Sequence, residues 1–253
     1  MSHADAGRLV LAIDVGATSI KMADVTLSGV VASAVRRRPT PYPCSPERLT
    51  EWLCLRIATR AISRVGIGFP GDFREGVVCG PGNLSRPNGR DSDADPELDA
   101  AWRGYALQAR LREETGVDVR VVNDAAMAAQ GCIAGDGREL VVTLGTGFGV
   151  ALVDGGLLQS IPDYGQQVID TERTYDAALG ERARAADGPR WLEDVRVTVQ
   201  QLAKTWATPR VHLAGGNSQR LRAREISTPE LAVQIHGNSA PLRGAARLFA
   251  PVG

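Results

Sequence analysis

The chain opens on an alternation. In LVLAIDVGATSIKMADV (9–25), Leu9, Leu11 and Ile13 fall on one face, and Ile20 and Met22 resume the pattern after the polar stretch DVGATS. A period of two on both sides of a Gly-containing turn predicts two antiparallel strands. PTPYPCSP (39–46) predicts a Pro-rich loop, with Ser45 as the N-cap of a helix and Pro46 at its first position. Leu49, Trp52, Leu53, Ile57 and Ala61 then recur at helical spacing. RVGIGFPGD (64–72) predicts a short strand ended by Pro-Gly, and GPGNLSRPNGRDSDADPE (80–97) a loop throughout. A helix is expected over about 97–115, stopped by Gly116. VDVRVV predicts a strand ending at Asn123-Asp124, and AAMAAQGCIAG a small-residue helix.

A second strand–turn–strand pattern appears in ELVVTLGTGFGVALVDGGLL (139–158). A helix pair is expected over about 172–206, its second member carrying Trp191, Val195, Val199, Leu202 and Trp206 on one stripe. RVHLAGGNSQRL reads as strand, Gly-Gly turn and helix start, and NSAPLRGAARLFA as a short closing helix. Mixed strands and helices built around two similar hairpins predict an α/β protein of two related halves.

The 253 residues, 43% of them hydrophobic, suffice for one large domain or two small ones. Lys+Arg and Asp+Glu both number 29, which argues against a general nucleic-acid or anionic-membrane binder. A polar start and the lack of an apolar run of membrane length predict a cytoplasmic protein with no membrane partner. Cys44, Cys54, Cys79 and Cys132 have no CxxC spacing and read as reduced structural thiols.

The two hairpins carry the candidate chemistry. Glycines let backbone N–H groups approach an anion closely, and Thr hydroxyls add donors. Each turn alone is equally an ordinary hairpin; the pair, with Asn-Asp between them, reads as two grips on a phosphate chain. Asp14 is placed to hold Mg²⁺ through water, and Lys21 to offset phosphate charge. No G-x-x-x-x-G-K-[ST] is present, and GTGFGV lacks the third Gly of the dinucleotide fingerprint and leads into a strand. Asp124 stands at a strand's C-terminal end, where a carboxylate can accept the proton of a hydroxyl attacking phosphorus. The plain alternative is a helix cap. His212 reads as a core residue. The run Arg36–Arg38 reads as a solvated strand end or as an anion guide.

The ordered set LAIDVGATSIK, GIGFPG, GNLS, VVNDAAMAA, VVTLGTGFGVALVDGGLL and LAGGNS resembles the ROK sugar kinases of the actin-like ATPase superfamily. RRRPTPYPCSPERL, YDAALGERAR, LAGGN and NSAPLRGAARL bring it nearest the polyphosphate glucokinase branch. The resemblance covers nearly the whole chain. It implies an α/β, two-domain actin-like ATPase (ribonuclease H-like) fold with mixed sheets and an interdomain cleft. Residues 1–122 plus about 238–253 would form a smaller domain, and 123–237 the larger one with the catalytic Asp.

The resemblance also implies roles. Asp14, Gly16, Thr18 and Lys21 match the first phosphate motif, and Gly145, Thr146 and Gly147 the second. Asp124 matches the catalytic base, with Asn83 and Asn123 as sugar ligands. Gly215, Gly216 and Asn217 match the turn near the donor's adenosine or its polyphosphate equivalent. The implied activity is phosphoryl transfer from polyphosphate or ATP to a hexose hydroxyl, glucose O6 first, with Mg²⁺, in a homodimer. The alternatives are an ATP-dependent kinase for another hexose or polyol and a catalytically degenerate sugar sensor. Repressors of this family carry an N-terminal helix-turn-helix; the first strand already begins at residue 9, so a nucleic-acid partner is not expected.

Three departures stand out. The family's Asp-x-Gly-Gly-Thr has Ala17 at its second Gly, and Ala tolerates positive φ poorly. Residues 159–175 lack Cys and His, so no zinc site is expected. Where the family has Glu-x-Gly-His, PDYGQQ places Asp163 and Gln166 as the sugar ligands.

Overall fold

A computed structural model describes residues 9–249 except 160, 162, 163 and 166, with only the backbone of Arg90. Asp163 and Gln166, expected as sugar ligands, therefore lie outside the described residues. The chain divides into two compact units, one running to Met127 and resuming at Pro241, the other Ala128–Ala240. Asp124 falls in the first.

The first unit is built on strands β1 (Leu9–Val15), β2 (Ser19–Thr26), β3 (Arg36–Pro39) and β4 (Arg64–Phe69). A small hairpin follows, β5 (Asp72–Arg74) with β6 (Val77–Gly80), and then β7 (Asp118–Asn123). The sheet order is β3-β2-β1-β4-β7. β1, β2 and β3 pair antiparallel, while β4 and β7 run parallel to β1. Alternation along β1 splits the core as its period of two requires. Leu11, Ile13 and Val15 join a cluster with Leu49, Leu53, Ile57 and Trp102. Val10 and Ala12 pack with Met127, Leu242 and Ala245.

Helix α1 (Pro46–Ala58) starts as its sequence predicts: the Ser45 side chain accepts from the Arg48 N–H, and Pro46 follows. The helix expected over 97–115 is instead two, α2 (Pro96–Trp102) and α3 (Leu107–Thr115). Gly104, at φ +81°, turns the chain between them, and fully buried Trp102 donates its indole N–H to the Cys44 carbonyl at 2.8 Å. Anchoring a buried indole and its hydrogen bond outweighs the continuity of one exposed helix. Gly116 closes α3 in the left-handed conformation, as expected. The 80–97 loop holds two 3₁₀ turns, Gly82–Ser85 and Gly89–Asp91. α4 (Asp124–Gln130) follows β7.

The second unit repeats the plan. β8 (Arg138–Leu144), β9 (Phe148–Asp154), β10 (Leu157–Gln159), β11 (Arg210–Ala214) and β12 (Ala232–Gly237) form a sheet ordered β10-β9-β8-β11-β12. Again three strands pair antiparallel and two run parallel. The expected helix pair is three helices, α5 (Tyr175–Leu179), α6 (Glu181–Ala186) and α7 (Gly188–Thr205). Along α7, Trp191, Val195, Val199 and Leu202 are buried in one stripe. Short α8 (Ala223–Ile226) precedes β12; the closing helix α9 (Ala240–Arg247) belongs, from Pro241 on, to the first unit. Among the described residues no helix is long and apolar enough to cross a membrane.

Candidate functional site

The first turn is held by its carbonyls. Gly16 N–H donates to the Ser19 carbonyl at 3.1 Å, which closes the turn. Thr40 donates its hydroxyl to the Gly16 carbonyl at 2.7 Å and its N–H to the Thr18 carbonyl at 3.2 Å. The Tyr42 hydroxyl donates to the Ala17 carbonyl, also at 2.7 Å. Among the described residues nothing accepts from the N–H groups of Ala17 or Thr18. Carbonyls tied back and amides left open is the arrangement that favours an anion. Ala17 is not among the positive-φ residues, so this turn does not require a second glycine.

Asp14 sits at the end of β1, buried, with Lys21 Nζ 2.8 Å from its Oδ2. Directly beside Asp14 in the sheet is Gly68. A β-carbon on Gly68 would lie 3.2 Å from the Asp124 Cα and 2.6 Å from the Met127 methyl. The missing side chain lets the start of α4 lie over the strand next to Asp14.

Asn123 and Asp124 divide the labour at that helix start. The Asn123 Oδ1 accepts from the Ala126 N–H at 3.1 Å, and its Nδ2 donates to the Gly71 carbonyl at 2.8 Å. Asn123 is the cap and the tie to the FPG loop. Asp124 accepts the adjacent Ala125 N–H through Oδ1 in the same turn, at 2.8 Å, and is half-buried. Gly71 in turn packs against Gly80–Gly82, the approach to Asn83. The Tyr42 hydroxyl lies 3.4 Å from the Asn83 carbonyl. Asp14, Thr18, Lys21, Asn83, Asn123 and Asp124 thus gather within one unit.

The second turn is held differently. Gly145 N–H donates to the Gly147 carbonyl at 3.0 Å. The Asn217 Nδ2 donates to the Gly145 carbonyl at 3.1 Å. The Asp176 carboxylate accepts the Phe148 N–H at 2.7 Å. Gly215, at φ +86°, brings the Gly-Gly turn so close that a β-carbon there would lie 2.2 Å from the Leu144 carbonyl oxygen. Arg184, the Asn217 side chain and the charge of Arg220 together hold the neighbouring Glu181 carboxyl down to about 2. Gly145, Thr146, Gly147, Gly215, Gly216 and Asn217 thus form one cluster in the second unit.

Tyr42, Thr40, Gly68 and Asp176 escape the sequence reading. Each acts through a partner distant in the chain, and only Gly68, in an otherwise apolar strand, carries a local signal.

The family model described as ROK family matches residues 10–160, which span both turns and Asp124. The chain belongs to the ROK family. A glucokinase of Halalkalibacterium halodurans is 31% identical over 160 residues, 59% of this chain. The match spans 45% of that relative's length. A polyphosphate glucokinase of Mycobacterium leprae is 24% identical over 92% of this chain and 72% of its own. Among solved structures, the inorganic polyphosphate/ATP-glucomannokinase of Arthrobacter sp. strain KM aligns with TM-score 0.72 and 26% identity, covering 96% of this chain and 98% of that one. The ROK family glucokinase of Streptomyces griseus, solved with glucose and AMPPNP, aligns at TM-score 0.71 and 19% identity over 95% and 98% of the two chains, a likeness of fold. The mixed α/β architecture is that of the ROK, actin-like sugar kinase structures.

Proposed function

We propose that this ROK protein is a sugar kinase that transfers a phosphoryl group from polyphosphate or ATP to a hexose hydroxyl, glucose O6 first. The observation that carries the reading is the juxtaposition of Asp124, Gly68 and Asp14. It sets the Asp124 carboxylate, at the start of a helix whose Ala126 N–H is capped by Asn123, beside a second carboxylate and a turn with open amides. The glucokinase and glucomannokinase activities named for the relatives support it.

In this scheme Asp124 accepts the proton of the sugar hydroxyl as its oxygen bonds to the terminal phosphorus. The bond from that phosphorus to the bridging oxygen breaks, and its electron pair leaves with ADP or the shortened polyphosphate. The open amides of Ala17 and Thr18 take phosphate oxygens of the donor. Asn83 and Asn123, with Asp163 and Gln166, orient the sugar. Asp14 fits a Mg²⁺ site of the kind that keeps its waters: one buried carboxylate beside the turn with open amides. The ion would supply charge neutralisation of the phosphates.

A kinase for another hexose is the second reading, favoured by Asp163 and Gln166 where the family has Glu and His. A coupled assay of glucose, mannose and other hexoses, each with ATP or polyphosphate and Mg²⁺, separates the readings. Highest kcat/KM with glucose is the expected result. A preference for another sugar supports the second reading, and no turnover with any pair overturns both in favour of a sensor.

A further inference from the structure

The register of the first sheet places three residues side by side across neighbouring strands: Asp14 on β1, Lys21 on β2 and Arg37 on β3. Residues opposed in this way share one face, and the 2.8 Å Asp14–Lys21 contact shows it for the first two. Arg36 and Arg38 oppose Met22 and Ile20 and belong to the other face. Among the described residues no hydrogen bond or ion pair is made by the Arg37 guanidinium, which stands exposed on the edge strand. Lys21 and Arg37 are like charges set directly opposite, a pairing that disfavours a bare sheet. Three residues further on, Thr40 braces the first turn, so the row is built into the strand that holds the phosphate motif.

We infer that Arg37 extends the donor site along the sheet edge and takes the phosphates of an inorganic polyphosphate chain beyond those gripped at the turn. Two strand spacings, about 10 Å, separate its backbone from that of Asp14. A single phosphate at the turn does not span that row; a chain of phosphates does. Each unit of such a chain offers oxygens matched to the guanidinium fork, whereas a nucleoside offers no anion there. Arg37 is thus a determinant of donor specificity. The inference rests on the phosphoryl-donor reading of the first turn, and its test does not depend on turnover.

Binding of long-chain inorganic polyphosphate is measured directly for wild type, Arg37→Gln and Arg36→Gln over a range of salt concentrations. Each cation that contacts a polyanion contributes about one to the log–log salt slope. Arg37→Gln is expected to weaken binding and lower the slope by about one, with Arg36→Gln close to wild type. The ratio of Kd for polyphosphate to Kd for ATP should rise with Arg37→Gln alone. Equal losses in the two variants, equal losses for both donors, or no polyphosphate binding by wild type would each overturn the inference. Turnover in the sugar panel with ATP reports separately on the kinase reading.

Discussion

Asp14 and Glu139 are both buried carboxylates on the central strand of their sheets. Their surroundings differ. Glu139, near the start of β8, accepts the N–H groups of Ala134 and Gly135 at 3.1 and 2.8 Å. His212 Nε2 lies 2.6 Å from Glu139 Oε2, and His212 Nδ1 lies 2.9 Å from His236 Nε2. With Glu139 ionised, His212 donates through Nε2 and accepts through Nδ1 from His236. The chain of bonds crosses three strands and is complete within the protein. Asp14, near the end of β1, has Lys21 as its partner and lies beside the turn with open amides. A buried carboxylate whose partners are all internal holds structure; one with a single cation partner beside a turn with open amides keeps capacity for further bonds, as the proposed role of Asp14 requires.

The sharpest break of that contrast is Glu139→Ala. It strands two backbone N–H groups and a buried His212, and about 3–5 kcal/mol of stability should be lost in denaturant or thermal unfolding. The same network predicts acid sensitivity. Burial pushes the His212 pKa below its ordinary 6.5. Backbone N–H donors and His212 hold Glu139 below 4.5 despite its burial. Both groups bind protons more readily when unfolded, so their contribution is present above those ordinary values. It is lost as pH falls below 6.5 for His212 and below 4.5 for Glu139, toward their lower values in the folded protein. The melting temperature is therefore expected to drop from pH 7 to pH 4; because the Glu139 carboxylate holds the His212 pKa up against burial, the fall between pH 7 and 5 should be no shallower in Glu139→Ala.

Gly215→Ala comes next. A β-carbon at φ +86° and 2.2 Å from a carbonyl oxygen should cost at least about 2–3 kcal/mol, seen as a lowered denaturant midpoint at constant m. Asp14→Asn reverses the pattern. Its stability change should stay near 1 kcal/mol, while activity at limiting Mg²⁺ falls about 10–100-fold. A large stability loss with unchanged Mg²⁺ dependence would make Asp14 a second Glu139. The smallest effect is expected of Ala17→Gly. Ala17 needs no positive φ, so glycine should change stability by no more than about 1 kcal/mol and leave donor KM unimproved.

Much of this was legible along the chain because its causes are local. The alternation around DVGATS and LGTGFG specified both hairpins and their register. Ser45-Pro46 and Gly116 marked helix ends through their own side chains and backbone. What was hidden depends on partners far apart in sequence. Trp102 reaching Cys44 breaks a helix that periodicity alone continues. Asn123, read as a sugar ligand, also caps α4 and ties it to Gly71, and the caps of consecutive Asn-Asp residues look alike until the helix axis is known. His212 reads as a core residue and is one, but its Glu139 and His236 partners lie on neighbouring strands. β12, in AVQIHG, has a weak alternation that only its parallel pairing with β11 completes.

Asp124, beside the Asn123 cap, is proposed as the base of a phosphoryl transfer. The most direct test is kcat of Asp124→Asn with the best sugar and donor pair, on protein whose unfolding midpoint matches wild type. A fall of about 10²–10⁴-fold is predicted; a kcat near that of wild type would contradict the assignment.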